Sequence, residues 1–299
     1  IVSASWEPLN NCLTPGNDPV SNCSGLNSKD YRSRLVAYQF NGVNFQEKWV
    51  SSERYGQNVP WSSKPLKIAA IDPIYQPGHP LYDPNAPERY YKFPSGGAPA
   101  VADFNADGIP EVYLYNEIFN SQTGNLIVRG EGLKDPSLDE FDSDNYYGQG
   151  ISQVSPGNTD EMIAGTTAVS VAADLDNDGI LELAAGNTIY KVNINGGSTS
   201  GSMTPILAPN HKGVFLRDGF TSIADVNLDG QLDVVVSVAR KGTSVNRQLY
   251  AWTLSGGTGL VLGYKNIPNT SDTDPSVSSP TDVAISLPFI GDVNGDKKP

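Results

Sequence analysis

The amino-acid sequence predicts an all-β protein assembled from small, repeated sheets. Four acidic loops begin at residues 103, 174, 225 and 292, and short apolar or β-branched segments flank each of them. No segment has the apolar periodicity of a long amphipathic helix. Short strands that recur around similar turns are typical of all-β architectures. The prediction of fold class therefore rests on repetition, on β-type flanks and on the lack of helical patterns.

The spacing of the acidic loops indicates a radially repeated fold. Successive loops begin 71, 51 and 67 residues apart, so the repeat has a period of about sixty residues, with several short strands in each. In a β-propeller each blade is a small twisted sheet, and rings close with about four to eight blades. We expect residues 35–299 to form about four to five blades. Because the sequence stops inside the fourth loop, we expect an incomplete propeller, with any remaining blades on another chain.

Residues 1–34 are predicted to be an irregular N-terminal segment, because Asn, Pro, Ser and Gly dominate it. Both cysteines of the chain, Cys12 and Cys23, lie in this segment. In an oxidising compartment they would form a disulfide that closes a local loop. Two unrelated free thiols, or half of a metal site, are the alternatives.

The segments that follow are predicted to be strands. A β-hairpin is expected over residues 35–50, because LVAYQF and VNFQEKWV flank an Asn-Gly turn at positions 41 and 42. Each complete repeat then reads as an apolar strand, an acidic loop and further strands, as in TTAVSVAADLDNDGILELAAGN. The insertions at 72–95 and 131–160 are expected to be surface loops.

The acidity of the chain is concentrated in the four loops. They hold twelve carboxylates, and the formal net charge of the chain is −13. Because neighbouring carboxylates repel one another, bound divalent cations explain this clustering better than a solvated acidic surface does. No basic stripe is present, which argues against nucleic acid as a partner. No apolar run is long enough to span a membrane.

The loop at 174–182, DLDNDGILE, illustrates the predicted metal chemistry. Acidic side chains stand at positions 1, 3, 5 and 9, and Gly179 at position 6 permits a sharp turn. A hard cation such as calcium binds about six to eight oxygens at short range. Four carboxylates and one backbone carbonyl would supply them: Asp174, Asp176, Asp178, Glu182 and Ile180.

An EF-hand begins with a similar string, but it requires a bidentate acid at position 12 and a helix on each side. Position 12 is Leu114, Ala185 or Val236 in the three complete loops. The flanking segments are β-branched and rich in glycine. The sequence therefore predicts nine-residue loops between antiparallel strands.

This combination resembles the FG-GAP repeat, the calcium-loop repeat of the integrin α-subunit β-propeller and of many bacterial surface proteins. Gly96-Gly97-Ala98-Pro99 ahead of the first loop matches the GAP part of the motif, whereas the other repeats depart from it there. The resemblance covers about residues 35–299 and implies Ca²⁺ as the cofactor. The metal ligands that it implies are Asp103, Asn105, Asp107, Ile109 and Glu111; Asp174, Asp176, Asp178, Ile180 and Glu182; and Asp225, Asn227, Asp229, Gln231 and Asp233.

The fourth loop, 292–299, departs from this pattern. Asp292, Asn294 and Asp296 would form an incomplete ligand set, because Lys297 stands where the other loops have glycine. We expect this site to bind calcium weakly or not at all.

Two classes of function fit the sequence best, and a third interpretation is a scaffold within a larger secreted assembly, where the propeller contacts only its own neighbours. The first is an extracellular module, secreted or at the cell surface, that binds protein or glycan ligands and uses calcium as a structural ion. The alternative is a polysaccharide lyase or another glycan-active enzyme built on a calcium-bearing propeller. Such an enzyme needs an acid and a base in one cleft, and the only histidines are His79 and His211. No Ser/His/Asp or Cys/His constellation is evident, which favours the binding module.

Overall fold

The structure is a computed structural model, and it describes residues 2–6, 33–53, 66–67, 90–91, 99–131, 148–150, 169–238, 247–267, 288–296 and 299. These ranges contain seventeen strands in five antiparallel sheets, and no helix occurs within them. The predicted all-β class is confirmed. In the part of the chain that the structure describes, there is accordingly no helix that could cross a membrane.

The first sheet contains the predicted hairpin and one further strand. Strands β1 (Val2–Trp6), β2 (Ser33–Phe40) and β3 (Phe45–Val50) pair in that order. The hairpin over residues 35–50 is confirmed. Strand β1 corrects the irregular segment predicted for residues 1–34, because it pairs with β2 at all five of its residues. Its sequence, VSASW, alternates apolar and polar residues as a strand does, but it is too short to stand out beside the loop-like residues that follow.

Three larger sheets repeat one plan. A separate pair, β4 (Leu66–Lys67) with β5 (Tyr90–Tyr91), precedes them in the chain. Each larger sheet has four strands that pair in chain order, which makes it an antiparallel meander. The second sheet comprises β6 (Ala100–Ala102), β7 (Glu111–Leu114), β8 (Glu117–Phe119) and β9 (Leu126–Arg129); the third comprises β10 (Val171–Ala173), β11 (Glu182–Ala185), β12 (Thr188–Ile194) and β13 (Gly201–Leu207); the fourth comprises β14 (Phe220–Ala224), β15 (Asp233–Val238), β16 (Arg247–Ser255) and β17 (Thr258–Ile267).

In each four-stranded sheet an acidic loop joins the first strand to the second. We call these loop 1 (103–111), loop 2 (174–182) and loop 3 (225–233), and the ninth residue of each is the first residue of the second strand. The second strands are buried at every residue, whereas the first strands are mostly half-buried, with Thr221 buried and Val101 exposed. The predicted order of strand, acidic loop and strand is thereby confirmed in all three repeats.

The hydrophobic core lies between successive sheets. Three buried apolar clusters join the first sheet to the second, the second to the third, and the third to the fourth. Strand β7 shows how one strand serves two clusters, since Val112 and Leu114 belong to the first cluster and Tyr113 to the second. Alternate side chains of a strand point to opposite faces, so a strand buried on both faces is apolar throughout. The largest members of the third cluster, between the third and the fourth sheet, are Tyr250 and Trp252.

Successive four-stranded sheets therefore stack face to face in chain order. None of the described sheets closes on itself, and these residues do not show a ring. The propeller, its FG-GAP character and its number of blades stay predictions. Cys12, Cys23 and His79 lie outside the described residues, so the predicted disulfide also stays a prediction.

A buried aspartate fixes the segment 148–150 beside the third and fourth sheets. Oδ2 of Asp218 accepts the N–H of Gln149 at 2.9 Å, and Oδ1 accepts the N–H groups of Gly150 and Gly219 at 3.0 and 2.8 Å. Gly186 lies against the same carboxylate, where a Cβ would stand 1.7 Å from Oδ1. Both oxygens of Asp218 thus accept hydrogen bonds from backbone donors.

Candidate metal centres in the acidic loops

The three complete loops share one backbone conformation. Position 4 is a residue other than glycine with positive φ in each loop: 55° at Ala106, 60° at Asn177 and 62° at Leu228. Position 6 is glycine with a φ of 87° in every loop. Side chains other than glycine adopt positive φ at an energetic cost. Three unrelated residues do so at position 4, which indicates that hydrogen bonds elsewhere in the loop impose its shape.

The aspartate at position 1 organises the turn. Its Oδ1 accepts the N–H of position 5 at 3.0–3.1 Å, and its Oδ2 accepts the N–H of the position-6 glycine at 2.8–3.0 Å. The three residues that do this are Asp103, Asp174 and Asp225. The loop backbone therefore curls around a carboxylate in each repeat, as expected of a short ligand loop.

The aspartate at position 5 holds the second half of the loop. Its Oδ1 accepts the N–H of position 7 at 2.8 Å in all three loops. In loops 1 and 3 its Oδ2 also accepts a hydrogen bond from the position-3 asparagine, Asn105 or Asn227. Position 3 of loop 2 is Asp176, which has no amide to donate. Loop 2 therefore carries one more negative charge than the other two loops.

The position-9 carboxylates are the most buried groups of the loops. Glu111 and Glu182 are each 1% exposed, and Asp233 is fully buried. One oxygen of each accepts the N–H of position 2 at 2.8–3.0 Å. This hydrogen bond ties the beginning of the loop to the first residue of the strand that follows it. It occupies only one of the two carboxylate oxygens.

The second oxygen of the position-9 group meets a different neighbour in each loop. In loop 1 the hydroxyl of Ser198 donates to Oε1 of Glu111 at 2.5 Å. In loop 2 the ammonium of Lys191 lies 3.8 Å from Oε1 of Glu182. In loop 3 Oδ1 of Asp233 is buried and accepts no hydrogen bond of good geometry in the described part of the chain, although the side chain of Thr253 and the N–H of Asn227 lie near this carboxylate and lower its pKa. A buried carboxylate oxygen is costly to leave without a partner, and a cation is a partner that would compensate it.

Burial raises the pKa of Glu182 and of Asp233 above the ordinary values of these residue types. The backbone N–H groups of Leu175 and Val226 oppose this rise, because they favour the ionised carboxylates. The negative charge of Asp176 adds to the rise at Glu182. The hydrogen-bond donors around these two carboxylates therefore do not fully offset the loss of water, and a divalent cation would favour their ionised form.

Loop 2 brings three of its predicted ligands into one cluster. Carboxylate oxygens of Asp174, Asp176 and Glu182 lie within 4.8 Å of one another. Oδ1 of Asp176 is buried and has no hydrogen-bond partner among the described residues. Oxygen ligands that carry negative charge suit hard divalent cations, so this cluster could bind a metal ion. The choice of calcium belongs to the proposal below.

The predicted carbonyl ligands lie at position 7 of each loop. The N–H groups of Ile109, Ile180 and Gln231 are held by the position-5 carboxylates at 2.8 Å. That bond fixes the peptide before each of these residues. Coordination by their carbonyl oxygens, like coordination by the other residues of the predicted sets, stays a prediction.

The fourth acidic loop, of which residues 292–296 are described, reproduces part of this geometry. The N–H of Asp296 donates to Oδ1 of Asp292 at 3.1 Å and to Oδ1 of Asn294 at 3.0 Å, as its counterparts do in loops 1 and 3. Gly295 has a φ of 82° at position 4. Lys297 lies outside the described residues, so the expected weakness of this site stays a prediction.

Contacts between sheets converge on the loops, and the sequence did not predict them. Ser198, in the turn between β12 and β13, contacts loop 1 of the preceding sheet, and Nδ2 of Asn105 donates to its hydroxyl at 3.2 Å. The side chain of Gln231 in loop 3 donates to the carbonyl of Leu175 in loop 2 at 2.7 Å. These contacts depend on how the sheets stack, which no local pattern reveals.

Lys191 is a further residue that the sequence did not single out. It pairs with Glu182 across β11 and β12, so its side chain lies beside loop 2. The ammonium hydrogen-bonds to Oδ2 of Asp176 and is 3.5 Å from Oδ2 of Asp178. The hydrogen bond with Asp176 raises the pKa of Lys191. The surplus carboxylate of loop 2 was the available signal for such a neighbour.

Comparison with known proteins gives no family for this chain. No protein-family model matches it, and no curated protein matches it. Among solved structures, the crystal structure of the V. cholerae biofilm matrix protein Bap1 is similar at 18% sequence identity, with a TM-score of 0.27. The match covers 89% of this chain and 39% of that chain, so this chain spans well under half the length of that protein. A likeness at this TM-score carries no conclusion about fold or function.

Proposed function

We propose that this protein is an extracellular, calcium-stabilised β-propeller of FG-GAP type that acts as a binding or adhesion module for protein or glycan ligands. In this proposal the calcium ions are structural. Each ion lies in an acidic loop and links the first strand of a sheet to the second. The loops hold the blades in shape, and other surfaces of the propeller contact the ligand.

The observation that carries the proposal is the buried carboxylate at position 9. Three loops with the same backbone bonds place it at the same point of three sheets, and in loop 3 one of its oxygens accepts no hydrogen bond of good geometry among the described residues. The hydrogen bond to position 2 accounts for one oxygen of that group, and a turn without an ion leaves the other oxygen incompletely compensated in loop 3. A cation at the centre of the loop would bond the second oxygen and offset the repulsion among the carboxylates.

The ligand chemistry supports calcium. The predicted donors are carboxylate, amide and backbone carbonyl oxygens, with no thiolate and no imidazole, which suits hard cations. Irregular loops accommodate the variable coordination of calcium more readily than the strict octahedron of magnesium. Millimolar to submillimolar calcium outside cells would fill sites of moderate affinity, which supports the extracellular location.

The stacking of the sheets supports the propeller. Four-stranded antiparallel meanders are the blades of that fold, and in a propeller each blade packs its faces against its two neighbours. The second sheet buries one face of β7 against the first sheet and the other face against the third. The same arrangement repeats at β11, where Ala184 and Leu183 belong to different clusters.

The surface offers aromatic groups for a partner. Phe40 and Phe45, at the end of the hairpin, are 56% and 57% exposed, with ring centroids 5.2 Å apart. Val43 between them is 87% exposed. Tyr264 and His211 are half-buried and stack with ring centroids 5.5 Å apart. An exposed aromatic pair such as Phe40 and Phe45 can serve as a contact surface for proteins and for sugar rings.

The first test of the proposal is the dependence of stability on calcium. Calorimetry of the purified chain should show a higher Tm in 2 mM calcium (on the order of extracellular levels) than in EGTA, because a ligand that binds only the native state stabilises it. Magnesium at the same concentration should have a smaller effect. Equal melting temperatures in calcium and EGTA would overturn the structural role of the ion.

The second test concerns the partner. Glycan and protein arrays probed with the calcium-loaded chain should show binding without turnover, and the chain in EGTA is the matched control. A double variant with both hairpin phenylalanines changed, F40S/F45S, should keep its calcium-dependent Tm and tests whether the hairpin is the contact surface. Cleavage of acidic or neutral polysaccharides, assayed by the appearance of new chain ends, would instead favour the enzyme and contradict the binding module.

A further inference from the structure

The three complete loops differ in charge at one position. Loops 1 and 3 have asparagine at position 3 and contain three carboxylates each, whereas loop 2 has Asp176 there and contains four. Additional negative charge normally strengthens the attraction for a cation, but it also increases the repulsion within the loop when no cation is bound. Loop 2 therefore needs compensation that the other two loops do not need.

Lys191 supplies a positive charge at loop 2, and among the described residues no other Lys or Arg forms an ion pair with an acidic loop. The Lys191 ammonium contacts three of the four carboxylates, namely those of Asp176, Asp178 and Glu182. The registers of the other two sheets pair Val112 with Phe119 and Val234 with Trp252; continued by one residue, they place Asn120 and Thr253 opposite the position-9 residues, where the third sheet has Lys191. Four carboxylates and one ammonium give loop 2 a net charge of −3, which is the charge of the three carboxylates in loops 1 and 3. The extra aspartate and the lysine thus occur together: Asp176 lies in loop 2, and Lys191 lies beside that loop on β12.

We propose that Lys191 is a built-in counter-ion of loop 2, which takes part of the place of a metal ion and competes with it. The proposal rests on the proposed function, since it presumes that the loops bind calcium. Without metal, Lys191 keeps loop 2 folded by pairing with its surplus carboxylates. When calcium binds, the ammonium must give up its contacts with the oxygens that the ion takes. Loop 2 is therefore the weakest of the three sites, and loops 1 and 3 fill first.

The position of the Lys191 ammonium explains why it competes with calcium and does not merely neutralise the charge of loop 2. It hydrogen-bonds to Asp176, a member of the cluster whose oxygens lie within 4.8 Å of one another, and it approaches the buried Glu182. Those are oxygens that an ion in loop 2 would use. The side chain of Lys191 is 39% exposed, so the displaced ammonium can move into water without being buried elsewhere.

The test compares three variants by calorimetric calcium titration of the full chain, starting from metal-free protein. K191M keeps the aliphatic stem of Lys191 and removes its charge, and we expect one of the three calcium sites to tighten by about tenfold, a moderate effect because water screens an exposed charge. D176N/K191M gives loop 2 the composition of loops 1 and 3, and its site should then match theirs in affinity. K265M removes an exposed lysine that lies outside the loops and should leave all sites unchanged.

Thermal melts in EGTA provide a second readout. K191M should lower the Tm of the metal-free protein, because four carboxylates lose their counter-ion, and D176N/K191M should recover most of the loss. K265M should melt like the wild type. If K191M leaves both the calcium affinities and the metal-free Tm unchanged, Lys191 is not a counter-ion of the site, although the wild type binds calcium. If the wild type binds no calcium at all, the proposed function itself fails.

Discussion

Replacement of Asp233 by asparagine should stabilise the metal-free protein and destabilise the calcium-loaded protein. The Asp233 carboxylate is fully buried and accepts one hydrogen bond from Val226 at 2.9 Å, and its Oδ1 accepts none of good geometry in the described part of the chain, although Thr253 and Asn227 lie nearby. D233N removes the buried charge and keeps an oxygen that can accept the Val226 N–H. It also removes the anionic ligand that loop 3 would offer to calcium.

The size of each effect follows from the environment of the carboxylate. A buried acceptor without a partner costs about 1–3 kcal/mol, and a neutral amide is less costly to bury than a charged carboxylate. We therefore expect D233N to stabilise the metal-free protein by about 1–2 kcal/mol. For a chain of 299 residues this is a rise in Tm of roughly 2–4 °C. In calcium at about 100 times its Kd, the wild type gains about 2.7 kcal/mol from each filled site, and D233N should lose this gain at loop 3.

The difference in stability between D233N and the wild type should change with pH in a definite direction. Burial raises the pKa of Asp233 in the folded protein above its unfolded value. The neutral form of the Asp233 carboxyl therefore favours the folded protein. This stabilising contribution is fully present below the unfolded pKa, about 3.9, and is lost as the pH rises through the raised folded pKa. In EGTA the advantage of D233N over the wild type should thus be small in acid and should increase toward neutral pH.

Differential scanning calorimetry at several pH values, in EGTA and in calcium, measures all three expectations. The decisive result is a change of sign: D233N melts above the wild type in EGTA and below it in calcium. If D233N melts below the wild type in EGTA and gains as much from calcium as the wild type does, Asp233 is an ordinary buried hydrogen-bonding group, and the reasoning about loop 3 is refuted.

Three further predictions concern contacts around the loops. D218N should lower the free energy of unfolding by about 1–3 kcal/mol, and equally in EGTA and in calcium, because Asp218 accepts buried backbone N–H groups and lies outside the acidic loops; a loss that appears only in calcium would contradict this. S198A should lower Tm more in EGTA than in calcium, since it leaves Oε1 of Glu111 without its hydroxyl donor; melts in both buffers test this, and equal losses would count against it. G186A should destabilise the protein by more than about 1 kcal/mol in urea titrations, because φ is +60° and the added Cβ would stand 1.7 Å from Asp218; an unchanged midpoint would show that the contact relaxes freely.

Much of the fold was accessible from the sequence because the acidic loops mark fixed points of the repeat. Asp103, Asp174 and Asp225 each begin a turn whose bonds are local, so their position between two antiparallel strands could be predicted and is confirmed. Strand β1 could not be predicted, because its pairing with β2 joins residues about thirty positions apart. Sequence patterns report local alternation and give little information on such partners.

The candidate site, too, was predictable in its local residues and not in their distant partners. The position-9 residues Glu111, Glu182 and Asp233 were predicted from spacing, and the structure places them equivalently in the three sheets. Ser198 and Lys191 were missed. Ser198 contacts loop 1 only because the third sheet stacks on the second, and Lys191 lies at loop 2 only through the register of β11 and β12. Tertiary and cross-strand partners of a local motif are set by global packing.

The central claim is that the acidic loops are calcium sites, and the calcium stoichiometry of the purified chain tests it most directly. Metal analysis after dialysis against millimolar calcium, with a parallel titration of metal-free protein, should give at least three bound ions per chain, one for each complete loop. The titration of D233N should give one ion fewer. A chain that retains no calcium, or a D233N variant that binds as many ions as the wild type, would contradict the account.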